Sequence, residues 1–397
     1  MEAAQIRTDE RRAAEAIRLV VPKDLPLSDV KASLARSRPV CTVYAPVHSE
    51  HVLQIYAGLY ALHEAGQIRV RQRFAAADLR RRLAGTGVDY TTFDASLHGL
   101  LVDLEGAGLV FFDVRDGGNY RADIIDAVLV YAKRAFLPSP NPEHRKKLLP
   151  LGLNYSVYHD RTTALELVKS IRHCHLPPQG AKRLAISLLR IFPSIARSLR
   201  VPTVDALTAP AEPERSARAI FAARTWVPTE VPPLPPQAVV KMNDFRADCI
   251  RELRGRLGAR VVAGFAHSEH AREHYPDCLL DAEFSSRRRD YLRNLRAYSV
   301  CVSTAGLWDS TGWKFAEYVA LGRAIVSEPI RFRLPGPMAA GENYLEFTTA
   351  QQCASRVIGL LEDEDARSSM MQRNARYFAQ YGTPGAVVAR ALHAALK

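Results

Sequence analysis

Short apolar runs alternate along the chain with longer segments of helical periodicity, and they do so in two separate blocks. Runs of this length predict buried strands, and the unbroken run LVFFD at 109–113 indicates burial on both faces of a sheet. The predicted strands are 38–45, 68–71 and 109–113 in the first block and 219–226, 260–265, 300–303 and 324–326 in the second. Since helices are predicted between these strands, the fold class is α/β.

A segment rich in proline, alanine and acidic residues, 201–218, lies between the two blocks and is typical of a linker. With 397 residues the chain is long enough for two domains, so we predict two Rossmann-like domains that face a cleft. The predicted parts are a helical leader at 1–37, an N-terminal domain at 38–205, a C-terminal domain at 206–380, and a final helix at 381–397 that returns to the N-terminal domain. Two helices with basic faces are predicted at 161–200, and the sequence leaves their role open.

Charge and cysteine content exclude few functions. Lysine and arginine number 54 against 42 acidic residues, a net charge of +12 that is compatible with nucleic acid, an anionic membrane surface or phosphorylated substrates. Basic runs such as Lys133-Arg134 predict solvated faces or contacts with an anionic acceptor or membrane. Six scattered cysteines predict neither disulfides nor a zinc site, and no apolar run reaches the roughly 18 residues of a membrane span. We therefore expect a cytoplasmic protein, with peripheral contact at the inner face of the membrane as an open alternative.

The stretch 298–328 combines a strand, a long loop, a helix and a second strand. The helix is predicted over 313–321 and ends at Gly322. In such a βαβ unit the loop lies at the carboxyl end of the strand, where open α/β sheets bind ligands. The loop and the start of the helix offer backbone N–H groups, small residues, one lysine and two acidic residues, which are the groups needed to hold a sugar nucleotide.

The two acidic residues are Asp309 in the loop and Glu317 in the helix, and both can point into one cleft. A carboxylate accepts hydrogen bonds from the hydroxyls of a ribose or hexose. Lys314, one turn into the helix, can neutralise a diphosphate together with the N–H groups of the helix N-terminus. The alternatives are a capping role for Asp309 and a surface position for Lys314.

The run Asp309-Ser-Thr-Gly-Trp-Lys-Phe-Ala-Glu317, continued to Val326, resembles the core signature of GT-B glycosyltransferases of the large retaining family four. That family carries an E-x(7)-E run followed by A-x-G-x-P-V-V. Residues 341–345 resemble its G-x-N-G-hydrophobic strand, and 350–377 resemble its helical tail. The resemblance covers about 219–380 and implies a GT-B fold and retaining transfer of a sugar from a nucleoside diphosphate.

The resemblance also implies roles for individual residues. Glu317 would hold the ribose of the nucleotide, and Asp309 would contact hydroxyls of the donor sugar. Arg224, after the first strand of the second domain, would join Lys314 at the diphosphate. The small loop residues are expected to place backbone N–H groups at the same nucleotide; they are Thr304, Gly306 and Gly312. No cofactor is implied besides the nucleotide sugar, and no metal ion.

The sequence departs from the family pattern at three points. The first acid is Asp309 rather than Glu, the usual Gly-rich N-terminal loop is replaced by a segment with His48, and Arg224 is followed by a Pro-rich loop. A histidine at the end of the first strand can act as general base in inverting GT-B enzymes. His48 or Asp116 is therefore the candidate base if the enzyme inverts, and Asp113 and Asp116 are alternatively acceptor ligands or turn residues.

Two functions from different classes remain at this point. The first is a sugar-nucleotide-dependent glycosyltransferase, with the donor on the C-terminal domain and a glycan, lipid-linked or small-molecule acceptor on the N-terminal domain. In that case Asn154 and Tyr155 are expected to face the cleft. The second is a non-catalytic or nucleic-acid-binding α/β protein, which would cluster basic residues and exposed aromatic side chains on one face. The basic residues are dispersed along the sequence, so no nucleic-acid partner is expected.

Overall fold

A computed structural model describes most of the chain. The described residues are 25–44, 50–73, 76–88, 99–139, 141–157, 203–204, 207, 217–231, 233–281, 284 and 288–397. His48, the leader before residue 25, the segment 161–200 and most of the predicted linker lie outside the described residues. The predictions for those parts stay predictions.

Six strands form the sheet of the N-terminal domain, in the order β2-β1-β3-β4-β5-β6. They are β1 Val40–Tyr44, β2 Arg69–Arg73, β3 Gly99–Leu104, β4 Gly108–Asp113, β5 Val130–Lys133 and β6 Leu148–Pro150. β3 runs antiparallel to both of its neighbours, whereas the other pairs are parallel. No strand was predicted at β3, and its presence makes this sheet mixed rather than wholly parallel.

Five strands form the sheet of the C-terminal domain, in the order β11-β10-β9-β7-β8, and all of their pairings are parallel. They are β7 Ala219–Ala223, β8 Val261–Phe265, β9 Val300–Ser303, β10 Ala324–Ser327 and β11 Leu345–Glu346. The chain therefore has the predicted α/β class with two Rossmann-like domains.

Helices cover the faces of both sheets. They are α1 Leu27–Ser37, α2 Leu53–Glu64, α3 Ala76–Leu83, α4 Ala122–Ala127, α5 Pro142–Lys147, α6 Pro236–Leu257, α7 Glu269–His274, α8 Arg288–Asn294, α9 Trp313–Ala320, α10 Ala350–Glu362, α11 Glu364–Tyr377 and α12 Pro384–Ala395, with a π-helical turn Phe378–Gly382 between the last two. In the part of the chain that the structure describes, no helix combines the length and the apolar character needed to cross a membrane.

The last helix, α12, returns to the N-terminal domain as predicted. Its apolar residues Val388 and Leu392 share one buried core with Leu59 of α2 and with the first sheet. Gly58 of α2 allows the two helices to approach closely, because a Cβ atom there would lie 2.2 Å from the carbonyl oxygen of Pro384. The C-terminal end of the chain is thus part of the N-terminal domain's core.

A second apolar cluster joins the two domains directly. Ala57 and Tyr155 of the N-terminal domain pack in it with Tyr318 and Phe378 of the C-terminal domain. Tyr155 also donates a hydrogen bond to the carbonyl oxygen of Gly382, at 2.9 Å, in the π-helical turn. These contacts hold the domains together near the chain crossing and leave an open cleft elsewhere between them.

Candidate functional site

A cleft of about 580 Å³ opens between the two domains. The N-terminal domain contributes the loop 117–119, which follows β4, and Leu137, which follows β5. The C-terminal domain contributes the start of α6 and the segments that follow β9 and β10. Because these segments follow the carboxyl ends of strands, the cleft lies where open α/β sheets bind ligands.

Four charged side chains line the cleft: Lys241 of α6, Asp309 after β9, and Glu328 and Arg331 after β10. Arg331 donates to the carboxylate of Asp309 at 2.6 Å, and both side chains are more than half exposed, at 57% and 58%. The apolar part of the wall includes Met242, Phe245, Trp308 and Phe332. The cleft therefore offers both signs of charge beside aromatic rings.

Arg246 of α6 fixes the start of the loop between β9 and α9. Its guanidinium donates to the hydroxyl of Thr304 at 3.0 Å and to the carbonyl oxygen of Ala305 at 2.7 Å. A third hydrogen bond, at 3.0 Å, goes to the carbonyl oxygen of Arg224 after β7. On the other side of the loop, the carboxylate of Glu328 accepts a hydrogen bond from the backbone N–H of Ala305 at 2.7 Å.

The charges of Arg246 and Glu328 are held in a poorly solvated place. Burial lowers the pKa of the Arg246 guanidinium to about 10, although the charge of Glu328 acts in the opposite direction. Burial likewise raises the pKa of the Glu328 carboxyl, against the hydrogen bond from Ala305 and the charge of Arg246. Each group loses solvation and gains the attraction of an opposite charge nearby.

The backbone of the same loop is strained at the cleft. Trp308 and Asp309 have φ angles of 56° and 58°, in the left-handed region that residues other than glycine rarely adopt. Conformations of this kind cost about 1–3 kcal/mol each and persist where the surrounding structure enforces them. Here the N–H of Gly306 donates to the carbonyl oxygen of Ser310 at 2.8 Å, which closes the turn.

Two of the predicted nucleotide-binding loop residues lie beside the cleft, and a third directly precedes the helix. Thr304 is bonded to Arg246, and Gly306 closes the turn that contains Trp308. Gly312 is the residue before α9. Whether their N–H groups bind a nucleotide stays a prediction.

Arg224 and Lys314, the two predicted phosphate ligands, do not line the cleft. The guanidinium carbon of Arg224 lies 3.5 Å from the ring centroid of Trp226. The ammonium group of Lys314 donates to the carbonyl oxygen of Ala222 in β7 and lies 5.0 Å from the ring centroid of Tyr291. In this structure Lys314 contacts the sheet, and its binding of a diphosphate stays a prediction.

Glu317 is fully buried in α9 and does not line the cleft. It lies near the buried pair Tyr291 and Tyr318, whose hydroxyl oxygens are 2.9 Å apart. Burial raises the pKa of Tyr291 well above its usual value, and the charges of Tyr318 and Glu317 add to the effect. The expectation that Asp309 and Glu317 point into the same cleft is therefore wrong for this structure, because α9 is buried over Phe315–Ala320 and has no open face at Glu317.

Asp113 belongs to a buried charge cluster in the N-terminal sheet and not to the cleft wall. Burial by itself raises the pKa of its carboxyl, but the hydrogen bond from Arg115 and the charge of Lys133 hold the pKa below its usual value. The Asp113 and Lys133 side chains are fully buried, 3.3 Å apart. The prediction of a solvated basic run at Lys133-Arg134 is wrong, since both residues are buried and form ion pairs with Asp113 and Asp116.

Asp116 forms an ion pair with Arg134 at 2.8 Å. Arg134 also donates to the carbonyl oxygen of Thr311 at 2.9 Å, across the boundary between the domains. Neither His48, which lies outside the described residues, nor Asp116 is placed as a base by these contacts, and both roles stay predictions.

Asn154 and Tyr155 lie in the domain interface and not in the cleft. Asn154 accepts a hydrogen bond from the indole N–H of Trp313 at 3.2 Å and donates to Gln54 at 3.0 Å. Both residues are buried, so the expectation that they face the cleft is wrong. Their polar groups are satisfied where the two domains meet, Asn154 by Trp313 and Gln54 and Tyr155 by the carbonyl oxygen of Gly382.

Sequence reasoning missed three charged residues of the cleft: Lys241, Glu328 and Arg331. Glu328 carried a usable signal, because it follows an apolar run directly and so stands at the carboxyl end of a strand. Lys241 carried none, since it is one of several charged residues on a long helix. Within the described residues there is no group of three or more His, Cys, Asp or Glu side chains that could hold a metal ion.

No protein-family model matches the chain, and no curated protein is similar to it in sequence. Among solved structures, the C-terminal domain of a glycosyl transferase group 1 family protein from Francisella tularensis is 13% identical, with a TM-score of 0.28; the match covers 42% of this chain and 86% of that one. A protein from Listeria monocytogenes described as a UDP-N-acetylglucosamine 2-epimerase is 12% identical, with a TM-score of 0.33, and the match covers 92% of this chain and 74% of that one. Likenesses at such TM-scores carry no argument, so the fold class rests on the topology of the two sheets.

Proposed function

We propose that the chain is a glycosyltransferase that binds a nucleoside diphosphate sugar in the cleft and passes the sugar to an acceptor held by the N-terminal domain. The observation that supports this most is the cleft itself, which combines two cations, two carboxylates and aromatic side chains in about 580 Å³. Ligand sites of about 300–1,000 Å³ suit small molecules of this size. The sequence resemblance over 309–326 supports the same reaction.

Lys241 and Arg331 are the proposed partners of the diphosphate. When the bond between the anomeric carbon and the diphosphate breaks, negative charge grows on the leaving phosphate oxygens. Positive groups held at that position stabilise the transition state more than the ground state. We also propose that no metal ion and no cofactor are needed, because these two side chains supply the positive charge.

The other side chains of the cleft suit the rest of the donor. Asp309 is exposed and can accept hydrogen bonds from sugar hydroxyls, as the resemblance implies. Phe245 and Trp308 provide flat apolar surfaces against which a nucleobase can pack. The loop 117–119 faces these groups from the other domain, so closure of the cleft would exclude water and favour transfer over hydrolysis.

The stereochemistry is proposed from the resemblance alone. Retention of configuration is our proposal, and a base at His48 or Asp116 belongs to the inverting alternative. A cytoplasmic location with peripheral contact at the membrane also remains a proposal from the sequence.

Thermal unfolding with and without ligands tests the proposal. We expect UDP or GDP to raise the unfolding temperature in a concentration-dependent way, because a ligand that binds only the folded state stabilises it. A short single-stranded oligonucleotide should have no such effect. Stabilisation by the oligonucleotide and by neither nucleotide would overturn the glycosyltransferase and favour the nucleic-acid-binding alternative.

A further inference from the structure

One guanidinium connects the two domains beside the cleft. Arg134 follows β5 of the N-terminal domain, and its side chain is only 7% exposed. One amino group, Nη1, lies 2.8 Å from a carboxylate oxygen of Asp116. The other, Nη2, donates at 2.9 Å to the carbonyl oxygen of Thr311, which belongs to the C-terminal domain. The contact with Asp116 is an ion pair, and Nη1 also donates, at 3.4 Å, to the carbonyl oxygen of Val114 in its own domain.

The acceptor in the C-terminal domain ends the strained turn of the cleft. Thr311 comes two residues after Asp309, whose left-handed backbone, like that of Trp308, has to be enforced by surrounding contacts. The beginning of the same loop is fixed by Arg246 and Glu328 of its own domain. The loop 304–312 is therefore anchored at its start from within the C-terminal domain and at its end from the N-terminal domain.

A backbone contact lies close to the same place. The N–H of Arg333 donates to the carbonyl oxygen of Phe136 at 3.0 Å. Phe136 lies two residues after Arg134, and Arg333 lies two residues after Arg331, so these segments also meet across the boundary. Separation of the domains would break this contact together with the hydrogen bond to Thr311. The anchoring of the loop is thus tied to the relative position of the domains.

We propose that Asp116, Arg134 and the carbonyl group of Thr311 form an interdomain latch that keeps the Trp308–Asp309 turn in its cleft-facing conformation. Asp116 orients the guanidinium, and the guanidinium holds the loop. Asp116 and Arg134 are then positioning residues, and Asp116 acts through Arg134 rather than on the substrate. The effect on donor binding rests on the proposed function, whereas the latch itself does not.

Hydrogen exchange on the nucleotide-free protein tests the latch. In Arg134→Gln we expect the amides of 305–312, which include the bonded N–H groups of Gly306 and Ser310, to exchange at least about tenfold faster. The amides of β9 should keep their protection. A general loss of stability would instead speed exchange throughout both sheets.

The control is another arginine–aspartate pair in the N-terminal domain. Arg82 holds Asp103 by two hydrogen bonds, at 2.8 and 2.9 Å, and these bonds stay within one domain. Arg82→Gln should leave exchange at 305–312 unchanged. Unchanged exchange at 305–312 in Arg134→Gln, or an equal acceleration in Arg82→Gln, would overturn the proposal.

Asp116→Asn gives a second, gentler variant, which decides the question if Arg134→Gln does not fold. It should accelerate exchange in the same segment, because the guanidinium loses the partner that orients it. In the variant with both changes the acceleration should equal that of Arg134→Gln alone, since Asp116 acts on the loop through Arg134. An Asp116→Asn protein with native exchange at 305–312 would contradict the latch.

Nucleotide binding separates this proposal from the proposed function. If UDP and GDP fail to bind the native protein while the variants still lose protection at 305–312, the latch stands and the glycosyltransferase fails. If a nucleotide binds the native protein and binds Arg134→Gln several-fold more weakly, with Arg82→Gln unaffected, both stand. Native nucleotide affinity in Arg134→Gln would remove the positioning role.

Discussion

Lys241 and Arg331 come from different elements, α6 and the segment after β10, yet both line the same cleft. Arg331 is already paired with Asp309, so its charge is partly balanced before any ligand binds. An incoming diphosphate can add to that pair by contacting Lys241 and the remaining N–H groups of the guanidinium. Removal of Lys241 should therefore change phosphate binding without also breaking the pair between Arg331 and Asp309.

We predict that Lys241→Ala weakens binding of the nucleoside diphosphate by about tenfold, the loss expected for one charge-assisted hydrogen bond. Titration calorimetry with UDP and GDP measures the change. Lys146→Ala is the matched control, because Lys146 is an exposed lysine of α5 that pairs with Glu143 on the same helix. Equal affinities for Lys241→Ala and Lys146→Ala would show that Lys241 is not a phosphate partner.

Glu328 should make stability depend on pH. Burial raises the pKa of its carboxyl above the ordinary value of 4.5, in spite of Ala305 and Arg246. As the pH rises, this carboxyl ionises in the unfolded chain first, so its ionisation lowers the free energy of unfolding from about pH 4.5 until the raised pKa is passed.

The variant Glu328→Gln keeps the side chain's size and an acceptor for Ala305 but cannot ionise. We therefore expect the variant to gain stability relative to the native protein between about pH 4 and about pH 7, measured by urea unfolding. If the difference in stability between Glu328→Gln and the native protein is the same at both ends of this range, the pKa of Glu328 is not raised.

The contrast between Glu317 and Glu328 shows what the sequence could and could not predict about the site. Helical periodicity placed Glu317 correctly on α9, but its direction depends on what packs around the helix, and there the helix is buried on every side that Glu317 could face. Glu328 lies one residue beyond β10, where position along the strand alone puts it at the ligand-binding edge. Strand ends were therefore better guides to the cleft than residues inside a helix.

At the scale of elements, most strands followed from unbroken or alternating apolar runs, but β3, β5 and β6 did not. The run of β3 and that of β4 are separated by a tight turn at 105–107; Gly106 in the turn and Gly108 at the start of β4 have φ angles of 84° and 149°. A short polar segment with glycine between two apolar runs is a hairpin signal. No strand was predicted at β3, and only its antiparallel pairing with β1 and β4 shows the mixed sheet.

The packing of α12 against α2 gives a prediction at this scale. Gly58→Ala would place a Cβ atom 2.2 Å from the backbone oxygen of Pro384, and neither helix can move without disturbing the shared core. We expect a loss of about 1–3 kcal/mol in the free energy of unfolding, the usual cost of overpacking. Denaturant unfolding measures the change.

Gly255→Ala is the control for this change. Gly255 also lies within a helix, α6, but a Cβ atom there meets nothing within 4 Å. That variant should be more stable by about 0.5–1 kcal/mol, because alanine favours the helix. If both variants changed stability alike, the close approach at Gly58 would not be a constraint.

At the scale of the whole molecule, contacts across the domain boundary surround the cleft. Apolar packing and the bond from Tyr155 to Gly382 join the domains at the crossing, and the bond from Arg134 to Thr311 joins them beside the strained turn. The two-domain organisation could be predicted from the alternation of elements in two blocks. These contacts could not, because each joins residues more than 150 positions apart in the sequence.

The central claim is that the cleft between the domains binds a nucleoside diphosphate. Its most direct test is a crystal structure of the chain with UDP or GDP, whichever stabilises it more. We predict the diphosphate within hydrogen-bond distance of Lys241 and Arg331, with its sugar-bearing end toward Asp309. A nucleotide bound elsewhere on the molecule, with these three side chains untouched, would contradict the account.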